Sequence, residues 1–104
     1  MLAHADDKEE TLGEARAAVL AGVLRALAHP LRLRLVALLC EGRTHVNDLA
    51  QRLGVTQAIV SQQLRILRMS RLVEVSRERG LAVYQIAEPR LHELLRCMQG
   101  CSAG

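Results

Sequence analysis

Residues 44–71 read THVNDLAQRLGVTQAIVSQQLRILRMSR, and this stretch decides the fold. Thr44 is placed to cap a short helix, His45 to Leu53, in which Val46, Leu49, Ala50 and Leu53 share one face. Gly54 supplies the left-handed residue that ends it. Only Gly54-Val55-Thr56 separate this helix from the next, which Thr56 caps and which runs to about Arg71. A short helix, a tight turn containing glycine and a second helix make a helix-turn-helix unit. The second helix holds Arg65, Arg68 and Arg71 and no acid, and its first turns present Gln57, Ser61, Gln62 and Gln63. Short amides and hydroxyls near a helix N-terminus reach base edges in the major groove, and arginines further along hold phosphates. Ile59, Val60, Leu64, Ile66 and Leu67 are expected to pack the helix down. The competing reading is an ordinary amphipathic surface helix, against which the hairpin pattern after Arg71 speaks.

From Leu72 the apolar period changes to two. Leu72, Val73 and Val75 form one strand and Ala82, Val83, Tyr84 and Ile86 another, with Arg77-Glu78-Arg79-Gly80 between them. This two-stranded hairpin places Arg77 and Arg79 where they reach a neighbouring minor groove or its phosphates, with Glu78 tempering the contact; a merely solvated turn is the alternative. Pro89 opens a last helix with Leu91, Leu94, Leu95, Met98 and Cys101 on its apolar face. Upstream, His29 caps a helix that begins at Pro30 and ends at Glu41 before Gly42, with Leu31, Leu35, Leu38 and Leu39 inward and Arg32 and Arg34 flanking. Before that, Thr11-Leu12-Gly13-Glu14 has capping-box spacing and starts a helix striped by Leu12, Val19, Leu20, Val23, Leu24 and Leu27, ending near Ala28. Residues 1–10 read as a flexible acidic tail and 11–104 as one domain. The order is that of a winged helix-turn-helix: mainly α (α+β), about five helices and a two-stranded wing.

The chain has 104 residues, half of them apolar, with Tyr84 its single aromatic side chain. Its core must come from Leu, Val, Ile and Ala, and one such core is marginal at this size, so an oligomer is expected. The longest apolar stretch, Ala17 to Leu24, falls far short of the ~20 residues that span a bilayer. The acidic start MLAHADDKEE does not resemble a signal peptide, which points to the cytoplasm and to Cys40, Cys97 and Cys101 as thiols. Residues 1–14 hold one lysine against five acids, net −4, and the remainder 13 arginines against six acids, net +7. A basic, arginine-rich domain leads to nucleic acid as partner, unless the arginine merely reflects genome composition.

The segment ALAHPLRLRLVALLCEGRTHVNDLAQRLGVTQAIVSQQLRILRMSRLVEVSRERGLAVYQI resembles the ArsR/SmtB group of bacterial repressors, with similarity from about residue 18 to 100. The resemblance rests on Ala28-His29-Pro30 with Arg32-Leu33, Asp48-Leu49-Ala50, Val60-Ser61-Gln62-Gln63-Leu64 before Leu67, and Val83-Tyr84. It implies a homodimer paired through the first and last helices that leaves DNA when an inducer binds. It does not carry an inducer with it. Where metal-sensing members have Cys-Val-Cys-Asp-Leu, this chain has His45-Val46-Asn47-Asp48-Leu49. At the four positions of the zinc-sensing pattern it has Glu88, Arg90, Cys101 and Gly104. A branch that senses persulfides or oxidants pairs a cysteine of the second helix with one near the end of the last. Cys40 lies about three residues after that branch's first position, where Ala37 stands, and Cys101 about two before its second.

Apart from the resemblance, Cys97 and Cys101 are four apart on one helix, so their sulfurs can converge on a soft ion such as As(III), Cd(II) or Cu(I). Met98 and His92 lie nearby, and Cys40 or the partner subunit can complete the site. Each cysteine also has a packing reading, Cys40 as a small core residue and Cys101 at an interface. His29 reads as a helix cap, His4 as solvated, and His45 lacks a second ligand at Asn47. His92 lies on a different side of its helix from Cys97, which disfavours a cysteine nucleophile with a histidine base. The expected protein is a homodimeric repressor that binds a duplex operator of dyad symmetry through Thr56, Gln57, Ala58, Ser61, Gln62, Arg65 and Arg68, aided by Arg77 and Arg79. Thiol chemistry at Cys40, Cys97 and Cys101 releases it. A metal or metalloid inducer bound by Cys97 and Cys101 and a winged protein-interaction module are the alternatives, and no cofactor or membrane is required.

Overall fold

The computed structural model describes residues 12–100; the acidic tail, Thr11 and Cys101 lie outside the described residues. Helices α1 (Glu14–Leu27) and α2 (Pro30–Glu41) lead into β1 (Thr44–His45), α3 (Val46–Leu53) and α4 (Gln57–Met69). Strands β2 (Val73–Glu78) and β3 (Leu81–Ile86) and helix α5 (Arg90–Gly100) complete the winged helix-turn-helix. The sheet is antiparallel and three-stranded, in the order β1-β3-β2, one strand more than the expected hairpin. The added strand is two residues long, with Thr44 opposite Tyr84 and His45 opposite Val83. No alternation is readable over two residues.

Local chemistry explains most element ends. The backbone N–H of Leu31 donates to His29 Nδ1 at 3.2 Å, so the imidazole caps α2 and Pro30 takes the first helical position, where a missing N–H is harmless. Thr56 Oγ1 accepts from the Ile59 N–H at 3.2 Å and starts α4. At α3 the expected cap is corrected: His45, not Thr44, is the capping residue, its Nδ1 accepting from Asp48 N–H, while the Thr44 hydroxyl donates to the Asp48 carboxylate at 2.9 Å. β1 takes in both residues, and its second, which directly precedes Val46, is the one that caps. Helix α1 begins at Glu14 with Gly13 at its N-cap and no side-chain bond there, later than the capping-box spacing predicts. The Glu88 carboxylate accepts from both the side chain and the backbone N–H of Arg90 at the head of α5, which holds its pKa down to about 2.

Helix α4 stops two residues short of the expected end. The Leu72 N–H donates to Leu67 O at 3.0 Å and the Arg71 N–H to Arg68 O at 2.8 Å, a Schellman closure with Arg71 in the left-handed region at φ 61°. Gly54 ends α3 in the same region, at φ 70° and ψ 33°, with nothing within 4 Å of where a Cβ would stand. Gly54→Ala therefore tests backbone conformation alone. It is expected to cost about 1 kcal/mol in urea unfolding with unchanged slope; an unchanged midpoint would contradict the turn geometry.

The core gathers Leu35 and Val36 of α2, Leu49 of α3, and Val60, Leu64 and Leu67 of α4, all fully buried. Leu72, Val73, Leu91 and Leu95 close it from the wing and α5. Leu31 and Leu38 pack at its margin. Ile59 and Ile66 depart from expectation: both are exposed, because Val60, Leu64 and Leu67 already fill the buried side of α4. The α1 stripe also faces outward for the most part, with Val19 65% and Leu24 57% exposed and only Ala26 and Leu27 buried.

Candidate nucleic-acid interface

On α4 the residues at steps of three and four from Ala58 (Ser61, Gln62, Arg65 and Arg68) share the face opposite the buried one. Together with Ile59 and with Tyr84 of β3 they line an open groove of about 730 Å³. Thr56 and Gln57 are exposed at the N-terminal end of the helix, where Gln57 Nε2 donates to Asn47 Oδ1 at 3.1 Å. Gln63, expected with the presented amides, has another task. Its Oε1 accepts from Arg32 Nη1 at 2.9 Å, and the Arg32 Nε–H donates to the carbonyl of Ala26. Arg32 thereby joins the end of α1 to the middle of α4.

The wing register sets Glu78 opposite Leu81 and leaves Arg79-Gly80 as a two-residue turn. Both turn residues have positive φ, 56° and 79°, as the twist of a tight hairpin demands. Arg77 and Glu78 thus stand on β2 rather than in the connection, which is shorter than the sequence suggests. The Arg77 guanidinium donates to Gly80 O at 3.1 Å, so it is held along the tip. Glu78 is engaged by Arg43, an ion pair that ties the connection between α2 and β1 to the wing.

Arg43, Arg52 and Arg90 each pair with an acid: Arg52 lies 2.9 Å from Glu41 and 3.7 Å from Asp48, and Arg90 2.9 Å from Glu88. As with Arg16, Arg25, Arg34, Arg71 and Arg96, no acid among the described residues pairs with the exposed Arg65, Arg68, Arg77 and Arg79. These four cations stand along α4 and the wing with their charge uncompensated. Such an arrangement attracts a polyanion and keeps guanidinium forks free for phosphate oxygens or guanine edges. Ile59 and Tyr84 are groove residues that the sequence pattern does not reveal. The position of Ile59 beside Val60 is the one signal that could have placed it off the core face.

The thiols lie elsewhere. Cys40 is half-buried beside Ala37, Glu41, His92, Leu95, Arg96 and Gln99, in a cleft of about 240 Å³ between α2 and α5. Burial pushes its thiol pKa up. Cys97 is exposed on α5 and does not line that cleft. Cys101 lies outside the described residues, and with it the expected pair of Cys97 and Cys101. Among the described residues no three His, Cys, Asp or Glu side chains are grouped to hold a metal ion, and no helix is long and apolar enough to cross a membrane.

Residues 29–75 match the bacterial regulatory protein, arsR family. The biofilm growth-associated repressor of Xylella fastidiosa is 39% identical over 85 residues, which cover 82% of this chain and 75% of the relative. The crystal structure of the transcriptional repressor BigR from Xylella fastidiosa superposes with a TM-score of 0.77 at 34% identity, covering 96% of this chain and 99% of that one. The homodimeric winged helix-turn-helix DNA-binding domain of a possible ArsR-family transcriptional regulator from Mycobacterium bovis, solved in solution, gives 0.72 at 30% identity, over 86% of this chain and 85% of that one. The family match includes the cap of α2, the whole helix-turn-helix and the start of the wing, the elements that build the cationic groove. The chain therefore belongs to the arsR family of bacterial regulatory proteins, the ArsR/SmtB winged helix-turn-helix repressors that its motifs resemble.

Proposed function

We propose that this protein is a cytoplasmic homodimeric repressor that holds a duplex operator of dyad symmetry and lets it go when its cysteines react. The observation that carries the reading is the exposed face of α4, where Ala58, Ser61, Gln62, Arg65 and Arg68 stand together with no acid among them. Thr56 and Gln57 extend it at the helix N-terminus, and Arg77 and Arg79 continue it along the wing. Pairing of two copies is supported by the apolar surface left open between α1, α2 and α5. Leu24, Leu27, Ala28, Leu33, Ala37, Leu94, Leu95 and Met98 line a groove of about 460 Å³ there, and Met98 is 60% exposed. A contiguous apolar surface of this kind on a small domain marks an interface. The Mycobacterium bovis relative is a homodimer, and two copies place two recognition helices on successive turns of one duplex face.

Release is assigned to Cys40, Cys97 and Cys101 because the two described thiols stand on α2 and α5, which border that apolar surface. A change at either one favours a dimer geometry in which the two α4 helices no longer match the groove spacing. Reactive sulfur or an oxidant is the preferred inducer. A soft metal or metalloid held by Cys97 and Cys101 is the second reading. Fluorescence anisotropy of the reduced, metal-free protein on its own upstream DNA tests both levels. Binding is expected to weaken steeply with salt, with a log–log slope of about −4 to −7 if some four to eight phosphates are neutralised by the dimer. A slope near zero would remove the DNA reading. Release by glutathione persulfide, reversed by dithiothreitol, supports thiol sensing; release only by arsenite or Cd(II) supports the ion; release by neither reduces the thiols to packing.

A further inference from the structure

Seven residues line the groove over α4, and six of them belong to that helix. The seventh is Tyr84, the only aromatic residue of the chain. It stands on β3, the central strand, opposite Val75 on one side and Thr44 on the other, so its position is set by two strands at once. Its ring packs at the margin of the core. Among the described residues the hydroxyl makes no hydrogen bond, although every buried polar side-chain atom there has a partner. The hydroxyl is therefore not buried, and it belongs to a residue that lines the groove while packing against the core.

We propose that the Tyr84 hydroxyl is a phosphate-positioning contact for the bound duplex, donating to a backbone oxygen between the recognition helix and the wing. This rests on the DNA reading of the α4 face. The neighbours favour phosphate over a base: Arg65 and Arg68 line the same groove and no acid does, so the local potential is positive. Side chains nearer the N-terminus of α4 are the ones aimed at base edges. A phenol offers one donor to an acceptor-only phosphate oxygen, and a ring already immobilised by packing loses little freedom when it makes that bond. The wing is thus joined to the recognition helix through a shared stretch of DNA backbone as well as through its arginines.

Tyr84→Phe removes the hydroxyl and keeps the ring. Against wild type and Arg68→Gln, operator affinity is measured by anisotropy across a salt series, and thermal midpoints are compared. Tyr84→Phe is expected to bind about five- to tenfold more weakly, to the same degree on operator and on a base-substituted duplex, because a phosphate contact carries no sequence information. Its salt slope is expected to equal that of wild type, since a neutral hydroxyl releases no counterion, whereas Arg68→Gln, present twice in a dimer, flattens the slope by about 2. Tyr84 is also the chain's sole strong ultraviolet fluorophore, and N-acetylimidazole, which acylates accessible phenols, should label it in the free protein and not in the complex. Tyr84→Phe binding within twofold of wild type, or equal labelling with and without DNA, overturns the assignment while the DNA reading stands. If Arg68→Gln also leaves binding and slope unchanged, or the wild type binds no duplex, the failure lies in the DNA reading itself.

Discussion

Arg65→Glu is expected to weaken operator binding by at least ~30-fold, which corresponds to about 2 kcal/mol or more. Arg65 lies in the middle of the exposed face of α4, flanked by Gln62 and Arg68 along one groove, and pairs with no acid among the described residues. The substitution removes a fork suited to phosphate or guanine and sets a carboxylate against a polyanion, so loss of attraction and new repulsion add. In a dimer the change occurs twice. Because the side chain is exposed and makes no hydrogen bond or ion pair among the described residues, the thermal midpoint should stay within about 2 °C of wild type, surface changes of this kind being worth roughly ±0.5 kcal/mol. Anisotropy on the upstream duplex, with circular dichroism melts as the control, separates the two quantities. Retention of affinity within threefold would mean that α4 does not face DNA.

The largest effect on stability is expected from Leu64→Ala. Leu64 is fully buried on the face of α4 that looks into the core, among the side chains of α2, α3 and the wing. Truncation leaves a cavity in a core with no Phe or Trp to shift into it. The expected cost is about 3 kcal/mol, and for a domain of this size the melting midpoint should fall by roughly 10 to 20 °C. A fall of less than about 3 °C would show that the site collapses around the smaller side chain and that α4 is held mainly by its ends.

The unequal legibility of the chain reflects the lengths over which each pattern is written. Helices α2, α3 and α4 each hold an apolar periodicity over two or more turns and a recognisable end, such as His29-Pro30, Gly54 or Thr56, and these are readable residue by residue. β1 is not, since its two residues are a strand only because β3 has a free edge beside them. The exchange of capping roles between Thr44 and His45 has the same origin. On α4 the rule that apolar residues point inward fails for Ile59 and Ile66, because a helix of that width buries one row when the opposite face is occupied by polar groups. Gln63 reads as presented to solvent, yet Arg32, 31 positions away, holds it at 2.9 Å. Long-range pairs of this kind leave no local trace. The same holds for Tyr84, whose period-two neighbours reveal the strand but not the groove that the residue lines.

The tip of the wing sets stability and charge against one another in a single residue. Arg79 occupies a left-handed conformation, φ 56°, that Gly or Asn would adopt with less strain. Arg79→Asn should tighten the hairpin, and it would at the same time remove the cation from the turn of the wing. No side chain offers both a relaxed turn and a guanidinium at this position. A protein selected only for thermal endurance would be expected to give up the arginine, so the residue found at the tip records which of the two demands has prevailed.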